Sequence, residues 1–157
     1  MATKLTEHFT LEEMTVTSHG SNVPNATEKQ HLLSTATMLE TLRQSYGKGI
    51  HINSAFRCAR VNKLAGGSAT SSHLYGYAAD TKPTDGDMKT YQRAVLKWAE
   101  KAPFDQIILE KTGKGSLASW IHIGYKHGRT GAQRRQILYT TDCKTYHTVA
   151  KGSKFYV

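Results

Sequence analysis

Two histidines and one aspartate stand out in this 157-residue chain because their chemistry suits a metal ion. His73 and Asp80 share one segment, and His122 follows much later in the chain. Imidazole nitrogen and carboxylate oxygen are ligands that Zn²⁺ accepts in a tetrahedral site. Three such ligands leave the fourth position for water, which is typical of a catalytic zinc rather than a structural one. We therefore predict that His73, Asp80 and His122 bind one Zn²⁺ ion.

The residues around these candidates predict how they meet. One glycine and two alanines separate His73 from Asp80, and such small residues allow the backbone to pass close to a site. Asp80 lies on a predicted strand at 77–82, which His73 shortly precedes. His122 lies on a predicted strand at 120–125, between two isoleucines that we expect to face the core. The two segments are thus expected to direct their ligands into one cleft.

Helices are predicted early in the chain and strands later. Thr10 with Glu13, and Asn25 with Glu28, each place an N-cap residue three positions before a glutamate, and apolar spacing carries the second helix to Gly47. The later predicted elements are strands at 50–56, 77–82, 104–110, 120–125, 134–140, 146–149 and 154–157, with a helix at 88–101. This order predicts one α+β domain over residues 1–157, with helices packed on a mainly antiparallel sheet.

The chain is basic, with 21 Lys and Arg against 12 Asp and Glu, a net charge of +9. Such a charge attracts polyanions such as nucleic acid, anionic lipid or a cell-wall polymer, or is simply a solvated basic surface. Without zinc-finger spacing, a basic zipper or an aromatic RNP-like strand, we expect no specific nucleic-acid partner. No apolar stretch is long enough to cross a bilayer, and the N-terminus predicts no ordinary secretory signal peptide. Cys58 and Cys143 are either free thiols or one disulfide.

A longer pattern resembles a known family. Ser71-x-His73-x-x-Gly76-x-Ala78-x-Asp80, followed by Trp120-Ile121-His122, is similar to the zinc D-alanyl-D-alanine carboxypeptidase and murein endopeptidase family, peptidase M15. Further similar segments are His8–Glu13, which resembles the start of small phage and bacterial members, Asn53–Arg57, Val61-Asn62, Gly66-Gly67 and Phe104–Glu110. The resemblance covers about residues 5–126. It implies the hedgehog-related LAS fold, the same three zinc ligands and peptidoglycan as the substrate.

The general base departs from the family pattern. Many members carry an acid three residues before the last histidine ligand, where this chain has Ser119. A hydroxyl cannot accept the proton of the attacking water as a carboxylate does. Glu110 is the best replacement because it ends the strand before the predicted metal hairpin, as the glutamate of the hedgehog-like pattern does. Asp105 is the weaker alternative, since it precedes the apolar run of that strand.

Four further residues are candidates for substrate contact. Arg57 is predicted to grip a substrate carboxylate or to stabilise the developing oxyanion. Ser71 corresponds to a substrate-binding serine of relatives, although a turn-stabilising role is the alternative. Gln106 lines either the cleft or only the strand. His127 is a less favoured candidate for support of the metal ligands or the transition state.

These observations favour a monomeric zinc peptidase that cuts stem peptides or cross-links of the bacterial wall. The expected setting is a phage endolysin or virion-associated lysin, made in the host cytoplasm and acting on the wall from the periplasm or the virion. Basic charge would add contact with an anionic wall polymer or the outer membrane. The alternatives are a bacterial D-Ala-D-Ala carboxypeptidase and a non-catalytic, hedgehog-like wall-binding module.

Overall fold

The computed structural model describes residues 2–157 and has α+β architecture, which confirms the predicted class. Its α-helices are α1 (Leu11–Met14), α2 (Ala26–Tyr46), α3 (Ala59–Leu64) and α4 (Met88–Ala99). Its strands are β1 (Ile50–Ser54), β2 (Ala78–Pro83), β3 (Gln106–Glu110), β4 (Trp120–Gly124), β5 (Gln136–Thr140) and β6 (His147–Thr148). Short 3₁₀ turns occur at Ser72–Tyr75 and Lys114–Ser116.

The helix boundaries follow from local hydrogen bonding. The Thr10 side chain accepts a hydrogen bond from the Glu13 backbone N–H at the start of α1. At the start of α2, Asn25 and Glu28 form a reciprocal capping box, as predicted. Gly47 ends α2 in the left-handed conformation, with φ of +79°, which glycine adopts without steric cost. The predicted starts of both helices and the predicted end of α2 are therefore confirmed.

The six strands form one sheet in the order β1-β2-β4-β3-β5-β6. Four neighbouring pairs are antiparallel, and β3 pairs with β5 in parallel. The central hairpin of β3 and β4 places Ile108 opposite His122, and β2 places Asp80 opposite the same histidine. This register brings two ligands that are 42 residues apart in sequence onto adjacent strands.

The two long helices cover one face of the sheet and leave the other face for the site. Alternate residues of β3 and β4 enter the core against α2 and α4, while the intervening residues face the opposite side. The core residues of these elements are Leu32, Ala36 and Leu39 of α2, Tyr91 and Val95 of α4, Ile107 and Leu109 of β3, and Ile121 and Ile123 of β4. The isoleucines beside His122 therefore lie where the alternation predicted. No helix within residues 2–157 combines the length and the apolar character needed to cross a bilayer.

The C-terminal strands predicted at 134–157 are partly wrong. The strand predicted at 154–157 is absent, because Phe155 turns into the core and its carbonyl oxygen accepts a hydrogen bond from the Gln92 side chain. β5 begins at Gln136 rather than at 134, since Arg135 has a φ of +55° that interrupts an extended chain. Only the two residues of β6 form the strand that was predicted at 146–149.

Candidate metal centre and the cleft around it

His73, Asp80 and His122 converge, and they are the buried group of possible ligands among the described residues. Asp80 Oδ1 lies 3.3 Å from His73 Nε2 and 3.1 Å from His122 Nδ1. One ligand atom from each residue falls within 4.8 Å of the other two. All three residues are less than a tenth exposed. Residues far apart in the chain therefore form one compact donor set.

His73 is held so that one particular nitrogen faces the site. Its Nδ1 lies 2.7 Å from the Ala55 carbonyl oxygen, which can only accept a hydrogen bond. Nδ1 therefore carries the proton and Nε2 presents its lone pair, which is the usual arrangement of a metal-binding histidine. The Ser71 side chain accepts a hydrogen bond from the His73 backbone N–H and caps this 3₁₀ turn.

Gly76 explains why a small residue follows His73. It has a φ of +79°, and an added Cβ would lie 2.9 Å from the Glu28 carbonyl oxygen of α2. The turn between His73 and β2 therefore passes against helix α2 at a distance that a side chain would prevent. The sequence predicted a close approach to the site, whereas the close approach at Gly76 is to residues of α2.

Asp80 is an anionic centre that its neighbours keep ionised. Burial would raise the pKa of its carboxyl group, but the charges and hydrogen bonds of His73 and His122 lower that pKa well below its usual value. Arg57 Nη2 donates to Asp80 Oδ2 over 3.0 Å, so the other oxygen remains directed at the two imidazoles. The donor set of two imidazole nitrogens and one buried carboxylate oxygen fits Zn²⁺.

A cavity of about 800 Å³ opens over the three ligands. Its floor includes Gln106, Ile108 and Glu110, the alternate residues of β3 that face away from the core. Since Ile108 pairs with His122, the cleft runs along β3 with the ligands near its middle and Glu110 and Gln106 towards opposite ends. The donor set is therefore accessible from a cavity that extends along β3 from Gln106 to Glu110. This is roughly 13 Å, the length of about four residues of an extended peptide.

Glu110 has the environment of a candidate general base. Burial, followed by the nearby negative charge of Asp80, raises the pKa of its carboxyl group above the usual glutamate value. His122 and Arg57 partly offset this increase. Trp120 is its cross-strand neighbour and also lines the cavity. A carboxylate with a raised pKa takes up and releases a proton closer to neutral pH.

Two comparisons with known proteins bear on the family of this chain. The sequence model of the family described as Peptidase M15 matches residues 7–124. The chain belongs to the M15 peptidase family. It is also similar to the zinc D-Ala-D-Ala carboxypeptidase of Streptomyces albus G, with 39% identity over 62 residues. That alignment covers 39% of this chain and 24% of the relative, so the chain spans about a quarter of the relative's length.

Membership of the M15 family confirms the predicted family resemblance. All four residues predicted to contact the substrate line the cavity. Arg57, Ser71 and Gln106 all line the cavity, and so does the less favoured His127. Arg57 is more constrained than predicted, because its Nε donates to Ser54 Oγ and its Nη2 to Asp80.

Two residues that the sequence analysis considered for the position of the general base, Asp105 and Ser119, do not line the cavity. Asp105 was the weaker alternative for the base and is wrong, since it is 1% exposed, does not line the cavity and accepts three hydrogen bonds from Arg134. Ser119 lies outside the cavity lining, and its hydroxyl donates to the Lys111 carbonyl oxygen. Cys58 and Cys143 are free thiols.

One wall of the cleft was not predicted. Arg134, Leu138, Cys143 and Tyr146 line the cavity and come from the segment that follows the region matched by the M15 family. Leu138 pairs with Ile108 across the parallel β3–β5 contact. A parallel neighbour cannot be inferred from hairpin spacing, and the only sequence signal was the local density of basic residues near 134.

Proposed function

We propose that this chain is a zinc-dependent peptidase that hydrolyses peptide bonds in the stem peptides or cross-links of peptidoglycan. The observation that carries the proposal is the placement of three buried ligands in the floor of a peptide-sized cleft, beside a carboxylate with a raised pKa. Membership of the M15 family supports the reaction class. We also assign the hedgehog-related LAS architecture to the fold on this basis.

The three ligands would hold one zinc ion through His73 Nε2, Asp80 and His122. When bound, Zn²⁺ polarises a substrate carbonyl and makes a water molecule more acidic. Glu110 accepts the proton from the attacking water and then donates it to the departing nitrogen. Its buried position favours this cycle because burial raises the pKa of the carboxyl group above the usual glutamate value.

Arg57, Ser71 and Gln106 would bind and orient the substrate. Each of the three guanidinium nitrogens of Arg57 donates one hydrogen bond, to Ser54, Asn62 and Asp80, so the guanidinium is held at the cavity wall. From there its remaining N–H groups stabilise negative charge on the substrate. Ser71 combines this role with the cap of the turn that carries His73.

The similarity to a zinc D-Ala-D-Ala carboxypeptidase and the basic charge favour a peptide of the bacterial wall as the substrate. The Streptomyces albus G relative is a zinc D-Ala-D-Ala carboxypeptidase, and by analogy we propose a D-alanyl stem peptide of the wall as the substrate. A net charge of +9 would also hold the protein on anionic wall polymers or the outer membrane. A bacterial carboxypeptidase of the same specificity is the alternative within this reaction class.

The biological setting that we propose is phage lysis, with a monomeric enzyme made in the host cytoplasm and acting on the wall as an endolysin or a virion-borne lysin. His8–Glu13 is similar to the start of small phage and bacterial members, and the basic charge suits contact with an anionic wall. Expression of the chain in a Gram-negative host, with and without a co-expressed holin, tests the endolysin role. Lysis that requires the holin supports it, and the absence of lysis with the holin argues against it.

Digestion of purified sacculi tests the proposed activity. We expect the zinc-loaded protein to release muropeptides whose masses identify the bond that is cut, and His73→Ala and Glu110→Ala to release none. Binding to sacculi without any product would instead support the non-catalytic wall-binding alternative, which the serine at position 119 leaves open.

A further inference from the structure

One end of the cleft carries a fixed cation whose role the proposed chemistry does not explain. Arg134 and His127 line the cavity beside Gln106, at the end opposite Glu110. Ile108 pairs with His122, and Gln106 is two residues further along β3. That separation is roughly 7 Å along an antiparallel strand. A substrate residue next to the scissile bond would therefore reach this end.

Asp105 holds Arg134 in place. The Asp105 carboxylate is 1% exposed and accepts hydrogen bonds from the Arg134 backbone N–H, Nε and Nη2 at 2.9, 2.8 and 2.7 Å. This bidentate contact removes most of the rotational freedom of the guanidinium before any ligand arrives. Burial of the Asp105 carboxylate costs free energy of folding. An arginine that only carried a solvated surface charge would not need this buried partner.

Arg134 still has donors to offer. A guanidinium carries five N–H groups, and the Asp105 carboxylate engages only two of them. The Arg134 side chain is 35% exposed, so its outer edge is accessible from the cavity. The planar edge of a guanidinium matches a carboxylate with two parallel hydrogen bonds.

We propose that Arg134 binds a carboxylate of the peptide substrate, with His127 beside it, and that Asp105 is the positioning residue of this subsite. This inference rests on the proposed peptidase function and deepens it, because it names an acidic peptide as the substrate class. In wall peptides the carboxylate belongs either to the D-glutamyl residue or to the diamino acid. Both His127 and Arg134 follow the segment, residues 7–124, that the M15 family model matches.

Two pairs of synthetic stem peptides test the proposal. Within one pair the D-glutamyl carboxylate is free or amidated, and within the other the diamino-acid carboxylate is free or amidated. We expect the zinc-loaded parent to prefer the free carboxylate by about 10-fold to 100-fold in kcat/KM in one pair, as a charge-assisted bidentate contact provides. That pair identifies which carboxylate is bound.

Arg134→Gln should reduce the preference to near unity, because kcat/KM should fall more on the free-carboxylate peptide than on the amidated one. Because this variant leaves the buried Asp105 carboxylate without a charged partner, the double variant Asp105→Asn/Arg134→Gln provides a second test in which no buried charge is unpaired. The control is Arg129→Gln, an exposed residue that does not line the cavity, which should keep the full preference.

The outcomes separate the two proposals. Cleavage without any preference in either pair, or a preference that survives in both Arg134 variants, would overturn the subsite and leave the peptidase function intact. If the folded, zinc-loaded parent cleaves none of the four peptides, the peptidase function is overturned, and the subsite with it. Arg134→Lys, which keeps the charge and loses the planar fork, should retain only part of the preference.

Discussion

The floor and the outer wall of the cleft are built in different ways. The floor carries His73, Asp80 and His122, each less than a tenth exposed and fixed by neighbours such as the Ala55 carbonyl and Arg57. The wall comes from 127–146, is more exposed and includes residues such as Tyr146 at 44%. The M15 family model matches the floor and stops before the wall. On the function proposed above, this contrast predicts that the floor carries the reaction and that the wall selects the substrate.

The strongest way to break this division is to remove a ligand from the floor. His73→Ala should lower bound zinc to well below one ion per chain and reduce hydrolysis by more than about 10³-fold, because the water-activating ion is lost. Zinc content by mass spectrometry and peptide hydrolysis provide the measurements. His51→Ala is the matched control, since His51 is an exposed strand residue outside the cavity. Equal loss in both variants would contradict the assignment.

Glu110→Gln sharpens the comparison within the floor itself. We expect hydrolysis to fall by about 10²-fold to 10⁴-fold, as the loss of a general base does, while one zinc ion per chain remains. Burial and Asp80 raise the pKa of the Glu110 carboxyl group in the metal-free protein, and the acid limb that this group gives to the kcat/KM profile of the parent should be lost in the variant. Glu100→Gln, at an exposed position, is the control. Parallel loss of zinc would show that Glu110 is a ligand instead.

Arg57 tests how far the support of the metal ligands extends. Since Arg57 Nη2 donates to Asp80 Oδ2, Arg57→Ala should weaken zinc affinity by about 10-fold, as the loss of a group that orients a ligand does. With zinc at saturation the variant should still turn over more slowly, because the cation at the cavity wall is missing. Competition with a chelator and saturating-zinc kinetics measure the two effects, with the exposed Lys63→Ala as control. Unchanged zinc affinity would restrict Arg57 to substrate contact.

The smallest effect concerns stability. The raised pKa of Glu110 means that the folded state disfavours its ionised form, so the metal-free protein loses stability as the pH rises from the unfolded pKa to the folded one. Metal-free Glu110→Gln should therefore gain stability relative to the parent over that window and keep the gain at higher pH. Thermal unfolding at several pH values measures it, and a gain that appears only at low pH would have the wrong sign.

The sequence predicted the floor because its information is local. His73 and Asp80 share one turn and strand, and the alternation of Ile121, His122 and Ile123 assigns each side chain to a face. The helix caps at Thr10 and Asn25 are equally local and were predicted with their partners.

The wall could not be predicted, since it depends on contacts between distant segments. The parallel pairing of β3 with β5 brings Arg134 beside Asp105. Because of this contact Asp105, the weaker candidate for the base, instead holds the Arg134 guanidinium in place. The strand predicted at 154–157 failed for a similar reason, because burial of Phe155 overrides its local β propensity.

Titration of the metal-free protein with Zn²⁺, while hydrolysis of a stem peptide is followed, tests the central claim most directly. We expect no hydrolysis without zinc and a linear increase that reaches its plateau at one ion per chain. Hydrolysis that survives exhaustive chelation, or a folded and zinc-saturated chain that leaves the peptide intact, would contradict the account.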